Sequence, residues 1–128
     1  MTAGITRLKK RADFLRISAS GIKAVRPGFI LQVDLLPHDF RTVHKYDIIR
    51  VGFTVTKRVG KAVIRNRVRR RLRALAKDVL QHYGTPALDY VLIGRKATLG
   101  QSYQMMRKDL VKALRKIHAN NKPIYEIV

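Results

Sequence analysis

"DIIRVGFTVTKRVGKAVIRNRVRRRLRALAK", residues 47–77, changes its hydrophobic period in mid-run. In the first part Ile49, Val51, Phe53 and Val55 alternate with Arg50, Gly52, Thr54 and Thr56, so residues 47–56 read as a strand with two unlike faces. From residue 62 the apolar positions are Ile64, Val68, Leu72, Leu75 and Val79, at spacings of 4, 4, 3 and 4. That is the stripe of an amphipathic helix, predicted over 62–82 and ended by Gly84 and Pro86. A strand running directly into a long helix that must bury one stripe calls for a sheet to pack against.

The rest of the chain supplies one. Lys10 to Ile17 predicts a short helix with Phe14 and Ile17 on one side, ended near Gly21. Pro27 opens a strand, Gly28 to Leu36, in which Phe29, Leu31, Val33 and Leu35 alternate with Ile30, Gln32 and Asp34. Residues 37–46 lack periodicity, begin with proline and read as a solvent-facing loop. Asp89 to Arg95 is apolar on both faces, which predicts an internal strand. Ser102 is an N-cap for a last helix in which Tyr103, Met106, Leu110, Leu114 and Ile117 face the core, through about His118. Arg115, Lys116 and His118 suit the negative end of its dipole. The expected fold is one α+β domain spanning 1–128. It is a two-layer sandwich of an about four-stranded mixed sheet and three helices, in the order α-β-β-β-α-β-α.

Composition narrows the function. Twenty-eight Lys and Arg against eight Asp and Glu leave a formal charge of +20, whereas solubility alone asks for a magnitude of about 2–8. With 46% hydrophobic residues the chain builds a core, so it is not a disordered polycation. Such an excess implies a polyanionic partner, nucleic acid being the commonest. Cysteine is absent, which removes disulfides, thiol catalysis and thiolate zinc sites. The N-terminal residues hold no apolar run of signal-peptide length, and no stretch of about 18 apolar residues suggests a membrane span. The expectation is a soluble, cytoplasmic protein.

The charge is concentrated on the 62–82 helix. Residues 57–73 hold nine cations and no acid, seven of them arginine. At about 100° per residue Arg65, Arg69 and Arg73 fall on one flank, Asn66 and Arg70 on the far side, and Arg67 and Arg71 on the other flank. Lys57, Arg58 and Lys61 lead in. A solvated helix normally offsets its cations with acids at i±4, and here there are none. Arginine's planar fork suits bidentate phosphate contacts, so this surface predicts nucleic-acid binding. A helix in a DNA major groove is the specific rival, but flanking strands do not make a helix-turn-helix. Composition alone favours a structural RNA-binding protein of ribosomal type, and a nonspecific basic nucleoid or chaperone protein stays open beside it. Asn66 among arginines is what composition does not demand.

Residues 50–73, "RVGFTVTKRVGKAVIRNRVRRRLR", resemble the signature of the protein subunit of bacterial ribonuclease P, with its Arg65-Asn66-Arg67 core. "LKKRADF" at 8–14 followed by Gly21, and "DYVLIGRK" at 89–96 followed by a basic helix, resemble that family's first and last segments in order. The resemblance implies a left-handed strand-helix-strand crossover around the signature helix. It also implies a catalytic RNA subunit that uses Mg²⁺ to free the mature 5′ end of precursor tRNA, with a protein that binds this RNA and holds the substrate's 5′ leader beside the sheet. Ribonuclease P RNA and precursor tRNA are then the partners, with no membrane and no protein partner evident. Lys57, Arg58, Lys61, Arg65, Asn66, Arg67, Arg69, Arg70 and Arg73 are the expected RNA-binding residues, and Phe14, Phe29 and Arg50 the expected leader contacts. Phe14 is ambiguous on its own, because an aromatic at helical spacing is usually core. The chain also departs from the family. Ser18 and Gln32 stand where aromatics are common, Lys61 where Asn is usual, and the 37–46 loop is longer. Stacking contributes roughly 1–3 kcal/mol per base, so leader binding here is expected to lean on hydrogen bonds and charge.

A nuclease site in the protein itself would need clustered carboxylates. Asp13, Asp34, Asp39, Asp47, Asp78, Asp89, Asp109 and Glu126 are scattered, with only Asp34 and Asp47 able to approach across a hairpin. His38, His44, His82 and His118 lack metal-ligand spacing and read as surface residues. No glycine-rich phosphate loop is present. The expectation is a protein with no catalytic residue and no bound metal or cofactor.

Overall fold

The computed structural model describes residues 4–35, 48–85 and 88–120; the expected 37–46 loop, Asp47 and Pro86 lie outside them. Five strands, β1 (Gly4–Arg7), β2 (Ile22–Arg26), β3 (Phe29–Leu35), β4 (Ile48–Thr54) and β5 (Leu88–Gly94), form one mixed sheet in the spatial order β1-β4-β5-β3-β2. The helices are α1 (Arg11–Ser20), α2 (Ala62–Tyr83) and α3 (Tyr103–Asn120). β2 and β3 form an antiparallel hairpin closed by Pro27 and Gly28, and β3 runs antiparallel to β5. β4 and β5 are parallel neighbours joined through α2, and β1 adds a parallel edge on β4. Parallel pairing needs a long crossover, and α2 is that crossover.

The internal position expected for 89–95 is observed, since β5 pairs with β3 on one side and β4 on the other. Among the described residues the sheet has five strands rather than about four. β1 and β2 have no buried face to betray them: every residue of β1 is exposed, and Ile22 and Val25 of β2 are exposed as well.

One face of the sheet meets the two long helices. Phe29, Leu31 and Val33 of β3, Ile49 and Val51 of β4, and Tyr90 and Leu92 of β5 join Val68, Leu72, Leu75 and Val79 of α2 and Met106, Leu110, Leu114 and Ile117 of α3 in one core. Each full-length apolar side chain buried there contributes about 1.5–3 kcal/mol relative to exposure. This is the expected two-layer body. The opposite face carries α1, whose Ile17 and Phe14 pack with Leu8, Val91 and Ile93. Gly52 makes that contact possible, because a Cβ there would stand 2.6 Å from the Phe14 ring. The sheet therefore has a partial third layer, and α1 covers only part of its outer face.

Candidate nucleic-acid interface

α2 begins abruptly. After a 3₁₀ turn at Lys57–Val59, Gly60 has φ 153° and ψ −167°, a conformation open only to glycine. Lys61 occupies the N-cap with no side-chain cap, and the first turn holds no acid. The free N–H groups and the positive end of the dipole thus lie among Lys57, Arg58 and Lys61, all exposed. Asn66, Arg67, Arg70 and Arg73 are exposed along the helix, while Arg65 and Arg69 are half-buried on its flank. Arg69 Nη1 donates to Asn66 Oδ1 at 3.1 Å, which turns the amide N–H groups of exposed Asn66 outward. Among the described residues none of these cations forms an ion pair with a carboxylate. The acid of α2, Asp78, faces α3 and accepts from Arg107 Nε at 3.2 Å and Tyr103 Oη at 3.0 Å. Arg71 is turned the same way, donating to the Gln101 carbonyl at 2.7 Å, and serves the α2–α3 junction.

The other expected contacts divide. Phe14 is half-buried at the margin of α1, bordering the uncovered part of the outer face. Phe29 is not there. It is 0% exposed on the long-helix face, because β3 alternates the other way: Ile30 and Gln32 share the outer face, and Phe29, Leu31 and Val33 are core. Arg50 is on the outer face but beneath α1. Its Nε and Nη2 donate to Asp89 at 2.8 and 2.6 Å, and Nη2 also approaches Asp13 at 3.4 Å. Burial alone would lower its pKa, but the hydrogen bonds and charge of Asp89, then of Asp13, raise it further. A buried guanidinium already holding two carboxylates is not offered to a leader phosphate, so Phe29 and Arg50 leave the set of leader contacts.

The acids are less scattered than in the sequence. Arg16 of α1 reaches Asp34 at 2.9 Å, the Leu35 carbonyl at 2.8 Å, Asp13 at 3.5 Å, and Asp89 as well. Three carboxylates from α1, β3 and β5 are thereby tied to two arginines, a network that fastens α1 to the sheet. Only Asp89's place on an otherwise apolar strand hinted at it. Beyond α1 the outer face stays open at Ile30, Ile93, Lys23 and Val25, the last 58% exposed. It runs into a hollow of about 530 Å³ at the ends of β4 and β5, rimmed by Arg58, Arg95 and Lys96. Arg95, which donates to the Arg26 carbonyl at 2.6 Å, and Lys96 were not singled out from sequence. His118 is not a surface residue. It is half-buried, its Nε2 lies 2.9 Å from the Tyr90 hydroxyl, and burial lowers its pKa.

Unpaired cations over a helix with an uncapped positive end, beside an open sheet face ending in a basic hollow, can hold phosphates along more than one strand. A family model described as Ribonuclease P matches residues 4–118. A ribonuclease P protein component from Paramagnetospirillum magneticum is 47% identical over 122 residues, 95% of this chain and 90% of that one. One from Gluconacetobacter diazotrophicus is 46% identical over 110 residues, 86% of this chain and 89% of that one. Among solved structures, the RNase P protein of Staphylococcus aureus superposes with a TM-score of 0.64 at 28% identity, covering 87% of this chain and 93% of its own. That of Thermotoga maritima shares the fold with a TM-score of 0.68 at 24% identity, covering 86% and 96%.

Proposed function

The chain belongs to the ribonuclease P protein family, and from that premise we propose how its surfaces divide the work of the ribonucleoprotein. The family's protein component is part of an endoribonuclease holoenzyme and works with ribonuclease P RNA. In this reading α2 grips that RNA. Lys57, Arg58 and Lys61 gather phosphates at its positive end. Arg65, Arg69 and Arg73 line one flank, Arg67 stands on the other, and Asn66 and Arg70 lie between. The observation that carries the reading is the row of cations on α2 that no carboxylate among the described residues offsets, because anions from outside relieve their mutual repulsion.

The open part of the outer face, from Phe14 past Ile30 and Ile93 to the hollow at Arg58, Arg95 and Lys96, takes the single-stranded 5′ leader of precursor tRNA. Its half-buried apolar side chains offer a floor for bases, and the basic rim offers phosphate contacts. Phosphodiester cleavage is assigned to the RNA with Mg²⁺, in the cytoplasm. The clustered carboxylates among the described residues are already taken up by arginines. Asp13, Asp34 and Asp89 are each engaged by Arg16 or Arg50, and among the described residues no group of three or more His, Asp or Glu is placed to hold a metal. The protein contributes binding: it screens repulsion between two RNAs and fixes the substrate's register.

The test is a series of precursor tRNAs with leaders of decreasing length, bound to the RNA alone and to the RNA with the protein. Shortening the leader to a single nucleotide weakens binding to the holoenzyme and leaves binding to the RNA alone unchanged. Equal dependence on leader length in both would refute the leader assignment.

A further inference from the structure

On the long-helix face of the sheet, remote from the leader path, a groove of about 410 Å³ opens between the edge strand β1 and α2. Its volume falls within the range of about 300–1,000 Å³ typical of small-ligand sites. Val51, Phe53 and Ala76 form an apolar floor, and Ile5, 38% exposed, forms the lip. Phe53 is half-buried, so its ring belongs partly to the core and partly to the groove. Cations stand on both banks. Arg7 comes from β1, and Arg73 and Lys77, one turn apart, come from α2. Among the described residues no carboxylate lines the groove, and Gln81, one turn further on, adds an amide with both donors and an acceptor.

An apolar trough with an aromatic ring in its floor, cations on opposite banks and one neutral amide matches the parts of a nucleotide. The ring and aliphatic floor suit the π-face of a base, the cations suit its phosphate, and the amide suits a base edge. Position favours a nucleotide within an RNA strand. Arg65, Arg69, Arg73 and Lys77 recur every four residues, so the phosphate-binding flank of α2 leads directly into the groove. We propose that this groove receives one unpaired nucleotide of the RNA that lies along α2. Its base turns in against Phe53 and its phosphate sits between Arg7 and the pair Arg73 and Lys77. The inference rests on the reading that α2 binds ribonuclease P RNA, and it adds a base-binding site to a surface otherwise assigned to phosphates.

The absence of cysteine makes the test direct. A photo-crosslinker attached through Gln81→Cys reports on the groove, and one attached through Gln104→Cys on exposed α3 serves as control. In the protein–RNA complex the Gln81→Cys probe joins one or two unpaired nucleotides that the control does not reach. Phe53→Leu weakens RNA binding about tenfold, the loss of one stacked base, without changing the salt slope. Lys77→Ala lowers that slope by about 0.7–0.9, the loss of one phosphate contact. Because Phe53 also touches the core, Ile5→Glu at the exposed lip repeats the test without disturbing packing, and it too weakens binding. Arg67→Ala separates the two readings. If Arg67→Ala loses affinity while Phe53→Leu, Lys77→Ala and Ile5→Glu bind like wild type and the Gln81→Cys crosslinks scatter, the groove proposal is overturned and the α2 reading stands. If Arg67→Ala also binds like wild type, both fall.

Discussion

Replacing Asp89 by Asn probes the network that sets α1 beside the leader face. Asp89 is 0% exposed, and its carboxylate accepts from Arg50 Nε at 2.8 Å, Arg50 Nη2 at 2.6 Å and Arg16 Nη2. The amide substitution keeps size and shape but removes the charge and turns an N–H₂ group toward one of the guanidinium groups. Arg16, partly exposed, keeps Asp34 and the Leu35 carbonyl. Arg50, nearly buried, keeps the longer contact to Asp13 at 3.4 Å. Breaking a buried pair by removing one partner costs about 3–5 kcal/mol. For a chain of this length that corresponds to a Tm lower by roughly 10–20 °C. The matched control is Asp78→Asn, whose pair with Arg107 has side chains 37% and 41% exposed and should cost about 0–1 kcal/mol. Calorimetry at two salt concentrations measures both, and only the exposed pair should respond to salt. The variant, assayed below its Tm, should also lose leader-dependent affinity, since α1 carries Phe14. Equal melting shifts for Asp89→Asn and Asp78→Asn would refute the argument that burial gives this network its weight.

On α2, Arg67→Ala should lower the salt slope of RNA binding by about 0.7–0.9 and cost on the order of 1–3 kcal/mol. Asn66→Ala should cost affinity with the slope unchanged, and equal slopes for wild type and Arg67→Ala would show that Arg67 meets no phosphate. His118 supplies a pH test. Burial holds its folded-state pKa below the usual value of about 6.5, so folding favours the neutral ring. Its contribution to stability is complete above that value and is lost as pH falls through the folded pKa. Thermal melts between about pH 7.5 and 5 should show a larger fall for wild type than for His118→Gln, and parallel curves would sink the assignment.

What the sequence disclosed follows from which residues carry a one-sided pattern. α2 and α3 bury one stripe each, and Val68, Leu72 and Val79, like Met106, Leu110 and Leu114, lie where their spacing puts them. β3 was visible as a strand, but Phe29 was assigned to the wrong face. Alternation tells which residues share a face, and both faces of β3 carry apolar side chains, so it does not tell which face meets α1. Arg50 was misread for a related reason. A charged residue on a strand reads as solvent-facing, whereas its partner Asp89 lies 39 positions away on a neighbouring strand. His118 pairs with Tyr90 across 28 positions, equally beyond any local pattern. The cations of α2 were legible because their signal is local, nine in seventeen residues with no acid among them.

The spatial order β1-β4-β5-β3-β2 puts the strand that is synthesised last in the middle of the sheet. Before residue 88 leaves the ribosome, β2 with β3 and β1 with β4 are two separate pairs, each lacking its central neighbour. Two-stranded pieces of this size are marginal in water. The helix that carries the arginines is therefore complete in the nascent chain while its apolar stripe still has no finished sheet to cover it. Folding waits for the 88–94 segment to insert between the two pairs. A chain arrested before that point would expose its polycationic helix and its hydrophobic stripe together.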